Sequence, residues 1–200
     1  MDAKERLGRI CPICSSGFLD NNGPDKVRCM KCEEHFHYDR EHNVWKNDKI
    51  ADISSSDPET SALSNLFPRI INIDGITYQS MEAFLRGLCW NGPQSVLKNE
   101  IAILSGLNAW RVRNVLPDWR EKQILYHNGK EIPRESDEYQ KLLEKAYDCA
   151  FEQSTIFRLA LQKMRGKILM HTIGKHNPKE TLLTVEEFMR MLYREQNRLS

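Results

Sequence analysis

The stretch DGITYQSME (Asp74–Glu82) holds a turn, a strand and the start of a helix. Asp74-Gly75 separates two β-branched runs, and both residues tolerate the positive φ of a type I′ turn, so the stretch predicts a β-hairpin. Ser80 follows as a helix N-cap, ahead of apolar residues at helical spacing that extend to Trp90. The larger part of the chain is therefore expected to begin with a hairpin that leads into a helix.

Beyond this helix the apolar residues keep a mostly helical period. A helix is predicted over Asp118–Tyr126, and Ser136 is the expected N-cap of a longer one. Thr184 and Glu187 have the spacing of a capping box at the start of a final helix. The expected fold class is mainly α: a compact helical domain over residues 62–200 with one small β-hairpin.

On the other side of the hairpin, two CxxC pairs lie fourteen residues apart near the N-terminus. Each pair can aim two thiolates at one ion from a tight turn, and four sulfurs leave no coordination position for water. The spacing predicts a structural Zn²⁺ ion in a β-rich zinc ribbon over residues 1–50, and residues 51–61, rich in Ser and Asp, are the expected linker. The four predicted ligands are Cys11, Cys14, Cys29 and Cys32.

Histidine and aromatic residues alternate after the second CxxC pair. His35 and His37 fit the solvated face of a strand, and a fifth ligand or a second zinc site is the alternative. Phe36, Tyr38 and Trp45 are expected to form the ribbon's small core or its contact with the larger domain. Stacking on a nucleobase is the alternative for Trp45.

Composition limits the functions open to the chain. It has 200 residues, 40% hydrophobic and 28% charged, with a formal charge of +1. Residues 1–50 hold nine Lys and Arg against nine Asp and Glu, so the ribbon lacks the excess of basic residues typical of proteins that bind polyanions. No apolar run approaches the roughly 20 residues that span a bilayer. With four cysteines in metal-ligand spacing, the expected location is the reducing cytoplasm, without a membrane partner.

The larger domain also carries short motifs in a particular order. They are LSNLF (Leu63–Phe67), DGITYQSME (Asp74–Glu82), PDW (Pro117–Trp119), HTIGK (His171–Lys175) and ETLLT (Glu180–Thr184). Together, over about residues 62–198, they resemble the NADAR family, also called the YbiA-like family. The resemblance implies a compact, mainly helical fold that cleaves N-glycosidic bonds or recognises NAD and ADP-ribose-like ligands.

The resemblance also implies roles for particular residues. Glu82 matches the family's key acidic residue, and Trp119 matches its candidate base-stacking tryptophan. Breaking a ribosyl N-glycosidic bond develops positive charge at the anomeric carbon, which a neighbouring carboxylate stabilises. Tyr78 is a second candidate for the aromatic ring that stacks on the leaving base. Asn65 is the candidate for hydrogen bonds to ribose hydroxyls, and Lys175 is the candidate for a phosphate contact. A surface capping charge is the alternative for Glu82, and a core anchor is the alternative for Trp119.

The chain departs from the family pattern at three single positions and near the C-terminus, where Gly174-Lys175-His176-Asn177 replaces the Tyr-Trp-Gly stretch of other branches. Ala83 stands where a histidine is common, Leu85 where a glutamine is common, and Trp110 where a basic residue is common. The main hypothesis is an N-glycosidase that acts on an ADP-ribosyl or related nucleotide, such as ADP-ribose attached to guanine in nucleic acid. The departures keep open a second hypothesis, a non-catalytic sensor of NAD or ADP-ribose. A nucleic-acid adaptor that binds through its ribbon is a third, and the neutral ribbon weighs against it.

Overall fold

The computed structural model describes residues 3–199. The N-terminal region is a short helix followed by a four-stranded antiparallel sheet, in which consecutive strands are neighbours. These elements are α1 (Ala3–Leu7), β1 (Leu19–Asn21), β2 (Lys26–Cys29), β3 (His35–Asp39) and β4 (Val44–Lys46).

The aromatic residues of β3 and β4 form the core of the ribbon. Phe36 and Trp45 are buried, and the Tyr38 ring lies 5.3 Å from that of Trp45. His35 and His37 alternate with them and are exposed. The predicted division of β3 into an aromatic face and a solvated face is confirmed, and the buried Trp45 ring has no free surface for a nucleobase.

The rest of the chain alternates short strands and helices. Three-residue 3₁₀ helices lie at Ser61–Leu63 and Val112–Asn114, and a π-helix lies at Leu97–Ile101. None of the helices within residues 3–199 has the length and apolar character that crossing a membrane requires. The remaining elements are β5 (Ile50–Asp52), β6 (Ile71–Ile73), β7 (Ile76–Tyr78), α2 (Met81–Gly87), α3 (Gln94–Val96), α4 (Gly106–Arg111), β8 (Ile124–His127), β9 (Lys130–Pro133), α5 (Asp137–Gln153), α6 (Thr155–Lys163), β10 (Ile168–Met170) and α7 (Val185–Gln196).

Three of the predicted helix starts, at Ser80, Ser136 and Thr184, are confirmed by their caps. The hydroxyls of Ser80 and Ser136 accept backbone N–H groups in the first turns of α2 and α5, at 3.0 and 3.2 Å. Thr184 and Glu187 form both hydrogen bonds of a capping box on α7. The apolar faces of α5, α6 and α7 pack together, and α2 joins the same core through Phe84.

The predicted mainly α fold class is wrong, because the chain is 35% helical and 19% strand. The region expected to be a helix over Asp118–Tyr126 is a turn that leads into β8. Gln123 has a φ of 54°, which interrupts a helix, and Asn128 and Gly129 have φ values of 49° and 76°. These two residues form the tight connection of a second hairpin, β8–β9.

A short parallel sheet joins the ribbon to the larger domain. β5 pairs with β10, so that Ala51 lies opposite Leu169. Next to this pair, the buried carboxylate of Asp52 accepts the backbone N–H groups of Trp45 and Thr172, each at 2.9 Å. Within the expected linker, residues 51–54 are buried. The start of that segment is thus packed against both regions.

Candidate functional site

A cavity of about 390 Å³ brings four of the predicted site residues together. Asn65 comes from the loop before β6, Glu82 from α2, Trp119 from the turn before β8, and Lys175 from the loop after β10. The volume lies in the usual range for small-molecule sites. Tyr78 is not part of this lining and faces a different cavity.

Glu82 lies in the first turn of α2, where the positive end of the helix dipole favours a carboxylate. Its side chain is only 10% exposed, and its Oε1 accepts two hydrogen bonds from Arg86, from Nε at 2.8 Å and from Nη2 at 2.6 Å. Oε2 has no hydrogen-bond partner among residues 3–199. Glu82 therefore presents one fixed and one available oxygen at the cavity.

Asn65 is held in place from two directions. The backbone carbonyl oxygen of Asn65 accepts a hydrogen bond from the backbone N–H of Glu82 at 2.9 Å. Its side-chain Oδ1 accepts one from the hydroxyl of Tyr147 at 2.7 Å. With Oδ1 occupied, the Nδ2 group is left to donate into the cavity. Behind this loop, the buried guanidinium of Arg69 donates to the carbonyl oxygens of Ala62 and Ser64, which fixes the backbone beside Asn65.

Three arginines that the sequence analysis did not single out face the same cavity. Arg86, Arg113 and Arg120 come from α2, the 3₁₀ helix at Val112–Asn114 and the turn before β8. Burial, together with the positive charges of Arg86 and Arg120, lowers the pKa of Arg113. With Lys175, the lining holds four permanent cations against the two carboxylates Glu82 and Glu180. The cavity is thus electropositive and suited to phosphate, which arginine binds with paired hydrogen bonds.

Two tryptophans line the cavity with unequal exposure. Trp119, the predicted stacking residue, is 6% exposed, and the guanidinium carbon of Arg120 lies 5.7 Å from its ring centroid. Trp110 is 38% exposed, and the Arg113 guanidinium carbon lies 3.5 Å from its ring centroid. Trp110 therefore offers more free ring surface than Trp119, at a position where a basic residue is common in the family.

The loop after β10 contributes His171 and Lys175. Lys175 is exposed, with Nζ 3.2 Å from the Glu180 carboxylate. His171 is mostly buried, its Nδ1 lies 2.8 Å from the carbonyl oxygen of Ile53, and burial lowers its pKa. A histidine held neutral in this way packs the cavity wall and anchors the loop that carries Lys175.

The four CxxC cysteines form one cluster, in which all four sulfurs lie within 4.8 Å of one another. The Sγ atoms of Cys11 and Cys32 are 3.7 Å apart, as are those of Cys14 and Cys29. A tetrahedral ion with metal–sulfur bonds of about 2.3 Å places its sulfurs about 3.8 Å apart. The cluster therefore has the dimensions of a four-sulfur metal site.

The backbone around the cluster favours thiolates. Backbone N–H groups, that of Ser16 first, lower the pKa of Cys14 to about 6, whereas burial raises the pKa of Cys11 to about 12. Gly17 is required beside the sulfurs, because a Cβ atom there would lie 2.3 Å from Sγ of Cys29. A bound metal ion displaces the remaining thiol protons, so these four cysteines can hold one.

Comparison with known proteins identifies the family. The family model described as bacteriophage protein GP30.3 matches residues 58–197. The chain belongs to this family. A 17.1 kDa protein from the Gp30–rIII intergenic region of enterobacteria phage T4 is 33% identical over 132 residues, which cover 66% of this chain and 86% of the phage protein.

A solved structure shares the fold of this GP30.3 family member. The NMR structure of the E. coli protein YbiA matches with a TM-score of 0.50, covering 81% of this chain and 90% of YbiA. The two sequences are 16% identical, so this likeness concerns the fold alone. The predicted NADAR (YbiA-like) domain is confirmed, and it carries more strand than expected.

Proposed function

We propose that this protein hydrolyses the N-glycosidic bond of an ADP-ribosyl or related nucleotide, and that its substrate is ADP-ribose attached to guanine in nucleic acid. One observation carries the proposal: Glu82 shares a cavity with the exposed ring of Trp110 and with the guanidinium groups of Arg86, Arg113 and Arg120. A carboxylate, a flat ring and a cluster of fixed cations match the ribose, the base and the phosphates of such a ligand.

In the proposed reaction, the bond between the anomeric carbon and the base nitrogen breaks as positive charge develops on the ribose. Oε2 of Glu82 stabilises that charge and orients the attacking water, which adds to the anomeric carbon. The proton released by the water passes to the departing base. Nδ2 of Asn65 donates to a ribose hydroxyl, while Arg113, Arg120 and Lys175 hold the phosphates.

A second function is a sensor that binds NAD or ADP-ribose without turnover. The contact between Arg86 and Glu82 favours it, because two hydrogen bonds at 2.8 and 2.6 Å occupy one carboxylate oxygen and leave only the other for chemistry. Ala83, in place of the common histidine, also leaves one group fewer to assist the chemistry. Both functions use the same cavity and differ only in whether the glycosidic bond breaks.

We also propose that the four-cysteine cluster holds Zn²⁺ as a structural ion. Four sulfur ligands at tetrahedral spacing favour zinc and leave no position for a reacting water. The ion thus supplies folding energy to the ribbon and takes no part in hydrolysis. Cysteines must stay reduced to bind a metal ion, and the cytoplasm is a reducing compartment, so we propose a cytoplasmic location for the protein.

The test is to incubate the purified protein with a DNA or RNA oligonucleotide that carries ADP-ribose on guanine. Release of ADP-ribose, followed by chromatography, is the expected result. Free ADP-ribose binding is measured in parallel by calorimetry. Binding without release on this substrate or on other N-ribosyl nucleotides supports the sensor, and absence of both release and binding contradicts both functions.

A further inference from the structure

A second cavity, of about 300 Å³, lies beside the far end of α2. Glu82 and Arg86 of this helix face the first cavity, whereas Gly87 and the following Leu88 line the second. The remaining lining comes from β7, the segment after α2, and the β8–β9 hairpin. The two cavities are therefore neighbours along one helix, with separate linings.

Tyr78 is the buried tyrosine in the wall of this second cavity. The residue is 1% exposed, and its hydroxyl has no hydrogen-bond partner within residues 3–199. A hydroxyl that lines a cavity and has no protein partner is available to a ligand or to water. Tyr126, across the cavity on β8, likewise has a hydroxyl with no partner in the described part of the chain. Burial raises the pKa of Tyr78, so its hydroxyl keeps its proton and can donate.

Trp90 supplies a fixed aromatic wall to the same cavity. Its Nε1 donates to the carbonyl oxygen of Pro93 at 3.0 Å. Its ring lies so close to Gly92 that a Cβ atom there would be 2.4 Å from the ring. The tryptophan is thus locked in one position while it stays partly exposed. A ring held in this way gives a stacking surface with little further loss of side-chain entropy on binding.

The polar groups of the lining distinguish the kind of ligand. Asn91, Gln94 and Asn128 provide amides that donate and accept hydrogen bonds. No lysine or arginine belongs to the described lining. Besides the two tyrosines, its ionisable residues are Glu131 and His127, and Nε2 of His127 lies 2.8 Å from the Asp74 carboxylate. The cavity consequently lacks the arginine and lysine side chains that suit the first cavity to phosphate.

We propose that this second cavity binds a nucleobase, with Trp90 as the stacking wall and the hydroxyl of Tyr78 on the base edge. Aromatic rings and amide groups are how proteins hold unpaired bases. The base can come from a free nucleoside or from a nucleic-acid strand. The proposal stands without the hydrolysis proposed for the first cavity, because the two linings share no residue.

The experiment uses the four tryptophans of the 200-residue chain as reporters. Each indole N–H gives one signal in a ¹H–¹⁵N NMR spectrum, assigned with single Trp→Phe variants. Titration with guanosine is expected to shift the Trp90 signal to saturation, and ADP-ribose to shift those of Trp110 or Trp119. If neither guanosine near its solubility limit nor an oligonucleotide shifts the Trp90 signal, the proposal is overturned, whatever ADP-ribose does at the first cavity.

Matched variants test the assigned groups. Tyr78→Phe removes only the hydroxyl and is expected to weaken guanosine binding about 2- to 10-fold, without changing the affinity for ADP-ribose. Tyr126→Phe is the second variant if Tyr78→Phe does not fold. Unchanged guanosine affinity in both folded variants overturns the role of the hydroxyls. A hexanucleotide that binds at least tenfold more tightly than guanosine identifies a strand as the source, and equal affinity identifies the nucleoside.

Discussion

The substitution Glu82→Gln separates the catalytic function from the sensing one. It removes a negative charge while it keeps the length of the side chain and an oxygen that can accept from Arg86. In the folded protein this oxygen lies 2.8 Å from Nε and 2.6 Å from Nη2 of Arg86. The hydrogen bonds therefore survive, with the neutral amide oxygen of glutamine as the acceptor and the Arg86 guanidinium as the donor, and the cavity keeps its shape.

The expected magnitudes follow from the position of this carboxylate. Loss of one preorganised electrostatic group at a developing charge costs about 10²–10³-fold in rate, or about 2.7–4 kcal/mol of activation free energy. The side chains of Glu82 and Arg86 are 10% and 14% exposed, so the weakened pair lowers the free energy of unfolding by about 1–2 kcal/mol. ADP-ribose binding is expected to stay equal or to tighten, because the cavity loses one of its two negative charges.

The assay compares single-turnover release of ADP-ribose with the ADP-ribose affinity of the same preparation. Glu187→Gln is the matched control: Glu187 also lies in the first turn of a helix, its oxygens accept from Arg134 at 2.9 and 2.6 Å, and it is outside the cavity. It should lose stability and keep its rate. A folded Glu82→Gln protein with the wild-type rate refutes the catalytic role of Glu82.

Three further predictions concern the metal, the phosphates and pH. Gly17→Ala should reduce the metal content from one ion per chain, measured by elemental analysis, because its Cβ would collide with Sγ of Cys29; full occupancy contradicts the assigned geometry. Arg113→Ala should weaken ADP-ribose binding about 10- to 100-fold in calorimetry. Arg111→Ala is the control, because Arg111 lies outside the cavity lining, and it should leave the affinity unchanged. Equal affinities of the two variants contradict the phosphate role of Arg113. Burial lowers the pKa of His171 in the folded protein. As the pH falls through about 6.5, His171 is therefore protonated in the unfolded chain before it is protonated in the folded one, and the free energy of unfolding decreases as the pH falls. The drop in urea midpoint between pH 7.5 and 5.5 should be smaller in His171→Asn, and an equal drop contradicts the assignment.

Local chemistry explains which features were predictable from the sequence. An N-cap such as Ser80 acts within three residues, and its signal lies wholly in the neighbouring sequence. The same holds for each CxxC pair, where the tight turn and the two sulfurs are part of one short motif. These features were therefore located correctly without knowledge of the tertiary fold.

Strands β5, β8, β9 and β10 were missed, and each is only three or four residues long. Alternation of polar and apolar residues needs a longer run to be recognised. The β8–β9 hairpin did carry a signal, since Asn128-Gly129 has the same turn chemistry as the Asp74-Gly75 pair that was recognised. Parallel pairing of β5 with β10 left no local trace, because its partners are far apart in the chain.

The cavity was predictable only in part, for a related reason. Glu82 was found through a motif, whereas Arg86, Arg113 and Arg120 meet only after three separate segments have packed together. Tyr78 lies four residues before Glu82 in the sequence, yet Tyr78 at the end of β7 and Glu82 in α2 line different cavities. Proximity along the chain was thus a poor guide to which side chains share a site.

The pairing of β5 with β10 also sets an order of events during synthesis. All four cysteines and the four ribbon strands lie within residues 11–46, so the ribbon can take up its ion while most of the chain is still unmade. Ile50–Asp52 gains its partner only after Ile168–Met170 has emerged from the ribosome. Closing this loop costs about 3 kcal/mol more than closing a tight hairpin, because loop entropy rises with the logarithm of length. The nascent chain therefore carries an undocked ribbon until Ile168–Met170 has been synthesised and has emerged.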